Sequence, residues 1–181
     1  MGRWGELLFE GDNDLDEAPY ISRDAGIELY SYEVESNPEY DLGGKGLEAT
    51  RAHLNNGVLH RLFVDYSTKP LKNGWSTKEL RLVFLAALAM RVGATIEHDF
   101  MEVLNAIIRE MAVARKNSLL IFDTGFRGPM KDQFETALMY YKNDGTPYDF
   151  YAIRCKGQGC AKSKDELDET KGEKLMKCGK C

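Results

Sequence analysis

The sequence predicts a mainly α-helical protein, with a helical N-terminal domain over residues 1–150 and a small irregular zinc-binding segment over residues 151–181. Three observations support this prediction. Apolar residues recur at helical spacing through the middle of the chain. Glycines and prolines stand where those helices would begin or end, and all four cysteines lie at or after residue 155. A chain of 181 residues can bury one ordinary core and carry a short appendage.

Net charge and hydropathy exclude some classes of function. The formal net charge is -5, whereas a protein that binds nucleic acid needs a concentrated basic face, so we expect no nucleic-acid partner. No apolar run approaches the roughly 20 residues that cross a bilayer, and the N-terminus lacks the layout of a signal peptide. We therefore expect an intracellular protein, cytoplasmic or nuclear, with no membrane partner.

The N-terminal part of the chain is acidic and poor in apolar runs. Asp12, Asp14 and Asp16 alternate as the ligands of a calcium-binding loop do. That loop, however, has Gly at its sixth position and Glu at its twelfth, where this chain has Glu17 and Arg23. We expect instead that the aspartates cap a short helix and are solvated at the surface.

Helices are expected through the middle of the chain. The first runs from about Gly46 and ends at Gly57 in a left-handed cap, after which "VLHRLFVDY" continues with apolar residues. Ser76 and Glu79 form an S-x-x-E capping box that begins the clearest helix. Apolar residues then recur at helical spacing until Gly93, which marks the end of that helix.

A second clear helix is expected over about residues 96–116. We expect it to pack antiparallel against the preceding helix, so that the pair forms the core. The run "SLLIFDTGFRGP" predicts a brief strand or a buried loop. Pro129 fits the first turn of a last helix with Gly145 as its stop, and "TPYDFYAIRC" is expected to be extended.

The cysteine segment has the form C-x4-C-x17-C-x2-C, made by Cys155, Cys160, Cys178 and Cys181. Four thiolates complete a tetrahedral Zn²⁺ site, and closely spaced pairs let one tight turn present both sulfurs to one ion. Glycines between the paired cysteines supply the backbone freedom that such turns need. The sequence therefore predicts zinc as the cofactor. The alternatives are a reduced, metal-free tail and a redox dithiol at Cys178 and Cys181.

The stretch "LMKCGKC" closely resembles the lead-in to the second cysteine pair of a MYND zinc finger. The preceding domain, with "HLNNGVLHRLF" and "FDTGFRGPMKDQFETALMYY", is similar to fungal proteins that carry a C-terminal MYND finger. Its opening Met-Gly-x-Trp-Gly also resembles a small bacterial family. The resemblance to the MYND finger implies a protein partner, with a proline-rich peptide as the expected ligand.

The chain departs from the MYND pattern in two respects. The family usually spaces its first pair C-x2-C, whereas four residues separate Cys155 and Cys160, and the third and fourth pairs of the family are not present in the sequence. In the family's cross-brace, Cys155/Cys160 and Cys178/Cys181 would belong to different zinc ions. The resemblance leaves two alternatives, which are one zinc ion held by all four cysteines or two incomplete half-sites.

Two functions are compatible with these features. The first is a non-catalytic adaptor that binds a protein partner through the zinc-supported segment. The second is a small enzyme or small-molecule-binding accessory protein, with fungal secondary metabolism as one setting, that uses the helical domain. We identify no catalytic residue and favour the first function. The candidate pocket residues of the second are acidic, aromatic and basic side chains, namely Trp4, Asp12, Asp14, Asp16, Asp123 and Arg127.

Overall fold

Helices make up most of the chain that the structure describes. The structure is a computed structural model that describes residues 5–30, 45–70, 76–111 and 128–152. Within these ranges the protein is mainly α-helical, as predicted, and contains no strand. A π-helical turn, Leu54–Val58, joins the second and third helices. The α-helices are α1 (Asp12–Ala25), α2 (Lys45–His53), α3 (Leu59–Thr68), α4 (Lys78–Arg91), α5 (His98–Glu110) and α6 (Gly128–Tyr140).

Helix α4 lies at the centre of the core. All of its residues from Leu80 to Met90 are buried, and it packs against α1, α3 and α5. A helix with an apolar surface on every side belongs in the interior, because no face of it is suited to water. The sequence prediction placed the core between α4 and α5 alone and therefore missed the contribution of α1 and α3.

The start of α4 differs by one residue from the predicted capping box. Thr77 is the N-cap, and its Oγ1 accepts a hydrogen bond from the N–H of Leu80 at 3.2 Å. Ser76 instead donates its hydroxyl to the carbonyl of Thr77. Both Ser and Thr are good N-caps, so the local sequence does not decide between two adjacent ones. The predicted end at Gly93 is confirmed, since that residue has a φ of 75° just after the last turn.

Helix α1 is longer than the short helix expected for this acidic stretch. It has 14 residues and continues through Pro19. Its N-cap is Gly11, so no aspartate side chain caps it, contrary to the prediction. Its buried face includes Leu15, Ala18 and Ile21, which recur at helical spacing. Burial of that face against α4 and α3 stabilises the helix despite its proline and its acidic surface.

The predicted break of the helix at Gly57 is confirmed, although α2 itself ends at His53, and two later helices end earlier than expected. Gly57, with a φ of 86°, lies in the left-handed region between α2 and α3. Helix α5 ends at Glu110, before Met111, whose backbone is extended, whereas the sequence predicted an end near residue 116. Helix α6 stops before Asn143, which has a φ of 55°, rather than near Gly145.

The residues that follow α6 return to the C-terminal end of α4. The Tyr141 hydroxyl donates to the carbonyl of Ala94 at 2.6 Å, and the Tyr148 N–H donates to the carbonyl of Met90 at 2.8 Å. Burial raises the pKa of Tyr141 to about 12. The hydroxyl therefore stays protonated near neutral pH and keeps its hydrogen bond.

The chain divides into two units, Met1–Tyr148 and Asp149–Cys181. All six α-helices of the described residues belong to the first unit. Residues 149–152 of the second unit contain neither helix nor strand, and the stretch "SLLIFDTGFR" and the cysteine segment lie outside the described residues. Among the helices that are described, none is long and apolar enough to span a membrane.

Replacing Gly93 by Ala should destabilise the protein more than replacing Gly26 by Ala. The two glycines have similar φ values of 75° and 71°, so each alanine costs roughly 1–2 kcal/mol in backbone strain. At Gly93 the new Cβ would also lie 2.4 Å from the carbonyl oxygen of Gly145, whereas nothing lies within 4 Å at Gly26. We expect Gly93→Ala to lower the free energy of unfolding by about 1–3 kcal/mol more than Gly26→Ala does. Thermal unfolding measures it, and equal losses would contradict the close approach of the two backbones.

Candidate functional site

Most of the predicted site residues lie outside the described part of the chain. The zinc site and the predicted pocket therefore stay predictions. Among the residues that the structure does describe, no group of three or more His, Cys, Asp or Glu side chains is placed to hold a metal ion. The predicted residues outside the described ranges are Cys155, Cys160, Cys178, Cys181, Trp4, Asp123 and Arg127.

The three predicted pocket aspartates lie near the start of α1 and differ in burial. Asp14 is 3% exposed, and its Oδ2 accepts a hydrogen bond from the N–H of Phe9 at 3.1 Å. Asp12 is half-buried and Asp16 is exposed. The expectation that all three are solvated is therefore wrong for Asp14. None of them lines either of the two cavities described below.

The segment before α1 is held by contacts that are distant in sequence. The N–H of Leu8 donates to Oε1 of Gln133 on α6 at 2.9 Å. Phe9 has a φ of 63°, and its ring stacks on Tyr30 with 4.8 Å between centroids. A non-glycine residue seldom adopts such a φ, so the hydrogen bond from Phe9 to Asp14 helps to hold a strained turn. We assign Asp14 a structural role in this segment.

A buried ion pair joins α1 to α4. Arg81 donates from Nε to Oε2 of Glu17 at 2.7 Å and from Nη2 to Oε1 at 3.0 Å. The two side chains are only 7% and 3% exposed. Parallel hydrogen bonds between a guanidinium and a carboxylate are the strongest form of this contact, and charges this deep in a protein are tolerated only when paired.

Tyr66 of α3 extends this polar cluster toward the surface. The Arg81 guanidinium lies 5.4 Å from the centre of the Tyr66 ring, and the Tyr66 hydroxyl donates to Oδ2 of Asp24 at 2.9 Å. Burial, and then the hydrogen bond to Asp24, raises the pKa of Tyr66 well above its ordinary value. The phenol therefore remains neutral at physiological pH and donates its hydroxyl proton to Asp24 in a hydrogen bond.

A cleft of about 360 Å³, which we call the α1–α3 cleft, opens beside this cluster. Tyr20 of α1 and Tyr66 of α3 contribute aromatic walls. The volume lies at the lower end of the range of ligand sites, which is roughly 300–1,000 Å³. The charged side chains that line the cleft are Arg23, Asp24, Arg61, Asp65, Lys69 and Arg81.

The cleft carries more positive than negative charge. Arg81 is neutralised by Glu17, so three rim cations face two carboxylates, those of Asp24 and Asp65. The rim cations are exposed, with side-chain exposures of 70% for Arg23, 52% for Arg61 and 67% for Lys69. Among the described residues one positive charge is left in excess at the mouth, and an anion would neutralise it.

A second, smaller cavity lies beneath the π-helical turn. Its volume is about 100 Å³, and its apolar walls include Phe63 and Phe100, which stack with 4.4 Å between ring centroids. At its edge Nδ1 of His60 lies 2.7 Å from Oε2 of Glu97, and both side chains are more than half exposed. The space suits a few water molecules, each of which occupies roughly 30 Å³, rather than a metabolite.

The three histidines lie apart on α2, α3 and α5. His53 has Nε2 at 2.8 Å from the carbonyl oxygen of Ala25, whereas His60 contacts Glu97. His98 lies 3.9 Å from a carboxylate oxygen one turn along α5. Each histidine therefore has its own neighbour, and no two of them share a site among the described residues.

The sequence contained a signal for the cluster that the prediction overlooked. In "LRLVFLAALAM" a single charged residue, Arg81, stands inside a run that is otherwise apolar. Glu17 lies among the buried residues of α1, one helical turn before Ile21. A charge inside an apolar helix, such as Arg81, predicts a buried partner of opposite sign, although it does not identify which residue that is.

Comparison of the chain with models of known protein families, with curated proteins and with solved structures finds no match. The functional argument therefore rests on the residues and on the geometry described above.

Removal of one member of the Glu17–Arg81 pair should destabilise the protein strongly, and removal of both should not. Glu17→Met or Arg81→Met leaves a buried charge without its partner, which costs about 3–5 kcal/mol. The double variant replaces the pair with apolar side chains and should lose far less than the sum of the two single losses. Urea unfolding of the three variants measures the coupling.

The exposed pair of Asp65 and Lys69 provides the control. Their closest atoms are 2.6 Å apart, yet Lys69→Met should change stability by no more than about 1 kcal/mol because the pair is solvated. If the losses at Glu17 and Arg81 simply add, the two side chains are not coupled as their geometry indicates.

Proposed function

We propose that this protein is a non-catalytic, zinc-binding adaptor that binds a protein partner through its C-terminal segment. The observation that carries the proposal is the C-x4-C-x17-C-x2-C spacing of Cys155, Cys160, Cys178 and Cys181. Two closely spaced pairs of thiolates supply the four ligands that a structural zinc site requires.

The composition of the segment supports a structural role for the metal. Residues 151–181 contain few large aliphatic side chains, namely Ile153, Leu167, Leu175 and Met176. A segment below about 40 residues seldom buries enough apolar surface to fold without a metal, a disulfide or a partner. Zinc binding in small zinc-finger peptides supplies about 10–16 kcal/mol, which is ample for this purpose.

The lysines of the segment fit the charge of such a site. A zinc ion with four thiolates carries a net double negative charge, and Lys156, Lys177 and Lys180 lie next to or between the ligands in sequence. Positive charge near thiolates lowers their pKa and favours the deprotonated form that binds metal. The proposal also places the protein inside the cell, where thiols remain reduced and available to zinc.

The resemblance to the MYND finger supports the class of partner. That family binds short proline-rich segments of other proteins, so we propose a proline-rich peptide as the ligand of the zinc-supported segment. A proline-rich segment is already close to its bound, extended form and loses little conformational entropy on binding.

We expect about one zinc ion per chain, bound by all four cysteines. Elemental analysis of protein purified without added metal should give this ratio for the wild type. It should fall to near zero in both Cys178→Ser/Cys181→Ser and Cys155→Ser/Cys160→Ser, because a single tetrahedral site needs both pairs. Lys177→Ser/Lys180→Ser is the matched control, since it changes the same turn and keeps every thiol.

Other outcomes contradict parts of the proposal. Substoichiometric zinc in the wild type would mean that the segment is not a metal site. If each double variant kept half of the zinc, the cysteines would form two separate half-sites. Titration of the same proteins with a proline-rich peptide tests the adaptor role, because binding should be lost with the zinc while far-UV circular dichroism shows that the helices remain. Equal binding by the zinc-free variants would exclude the zinc-supported segment as the interaction site.

A further inference from the structure

We propose that the α1–α3 cleft is a binding site for a small organic anion, one that joins a flat ring to a carboxylate or phosphate monoester group. This site lies in the helical unit and does not depend on the zinc-supported segment. The proposal rests on four observations. The rim arginines lie too far from the neighbouring carboxylates for a short ion pair, those carboxylates already accept other donors, aromatic side chains line the cleft, and its volume suits a small ligand.

The two rim arginines make poor contacts with the carboxylates beside them. Nε of Arg23 lies 3.9 Å from Asp24, and Nη1 of Arg61 lies 4.0 Å from Asp65. A guanidinium in a good ion pair approaches a carboxylate to about 2.7–2.9 Å. Both arginines therefore carry a positive charge at the mouth of the cleft without forming short, paired hydrogen bonds to these carboxylates.

Each arginine is nevertheless held in place by another contact. The guanidinium of Arg23 lies 4.9 Å from the centre of the Tyr20 ring, and Nη2 of Arg61 donates to the carbonyl of Asp24 at 2.8 Å. Stacking leaves the N–H groups at the edge of a guanidinium available to an oxyanion. Because the arginines are already positioned, an incoming anion would lose less side-chain entropy on binding.

The carboxylates of the cleft are occupied by other donors. Asp24 accepts the hydroxyl of Tyr66, and Asp65 pairs with Lys69 at 2.6 Å. Asp65 therefore competes with any bound anion for Lys69 and Arg61. Tyr66 remains neutral at physiological pH, so it adds no negative charge that would repel a ligand.

The shape of the cleft selects a small ligand with a flat part. A volume of about 360 Å³ is small for a drug-sized molecule and sufficient for a single ring with one charged group. Tyr20 lines the cleft and is 36% exposed, with the Arg23 guanidinium over its ring. Aromatic walls with a few charged groups at one end are typical of sites that orient such a ligand.

Titration of the full chain with benzoate and with phenyl phosphate, followed by amide resonances in NMR spectra, tests the proposal. We expect saturable shifts on α1 and α3 for at least one probe, and the stronger probe identifies the anionic group. Benzamide, the neutral counterpart of benzoate, should bind at least about fivefold more weakly than benzoate if carboxylate is the group. Each charge contact of this kind contributes on the order of a factor of five.

Two variants that should change the affinity in opposite directions distinguish a loss of ligand recognition from a loss of folding. Arg61→Gln/Lys69→Gln should lower the affinity of the stronger probe about fivefold or more, because two rim charges are removed. Asp65→Asn should raise it about threefold or more, because it frees both cations from their competitor, and a gain of affinity cannot result from misfolding. Arg109→Gln is the control, since Arg109 is an exposed arginine of α5 outside the cleft and should leave affinity unchanged.

Three results would overturn the proposal. The first is that neither charged probe binds at about 10 mM. The second is that benzamide binds as well as benzoate and phenyl phosphate does not bind, and the third is that Asp65→Asn lowers the affinity.

Discussion

The burial of α4 on every side is the constraint on which the rest of the described structure depends. A helix with no exposed face cannot carry an unpaired charge, yet Arg81 lies in its first turns. The charge must be neutralised inside the protein, and Glu17 does so through two hydrogen bonds. An isolated charge at this depth would cost several kcal/mol, so packings that leave Arg81 without a partner are disfavoured by that amount. The pair thereby fixes the position of α1 along α4.

The same pair explains why a polar cleft exists beside an apolar core. Once Arg81 and Glu17 are buried, Tyr66 can lie against the guanidinium and place its hydroxyl on Asp24. Polar groups that are all hydrogen-bonded thus connect the buried pair to the surface, where Arg61 and Tyr66 of α3 both donate to Asp24 of α1. Neighbouring residues therefore contribute to stability and to the proposed recognition separately. The buried Glu17–Arg81 pair holds the helices together, whereas the rim cations are exposed to solvent and can contact a ligand.

The parts of the fold that the sequence predicted correctly are those set by local physics. Gly57 and Gly93 have positive φ values that favour glycine, and the apolar spacing of α4 identified its helix. What depends on distant residues was missed. Glu17 and Arg81 are 64 positions apart, and no local pattern shows that they meet. The local sequence does not distinguish Thr77 from Ser76 as the N-cap, since both residue types are good caps. The cleft could not be predicted because its lining comes from three helices, and the predicted zinc ligands lie outside the described residues.

The hydrogen bond between Leu8 and Gln133 has a consequence for the order of events during synthesis. The two residues are 125 positions apart, so at about 5–20 residues per second the ribosome needs roughly 6–25 s to add the partner of Leu8 after Leu8 itself. Helices α1, α3 and α4 can associate before that time, whereas the segment ahead of α1 cannot complete its contacts. Leu8 is fully buried in the finished protein, and during this interval its backbone N–H lacks the acceptor that Gln133 later supplies. The segment ahead of α1 is thus among the last parts of the described chain to complete its contacts.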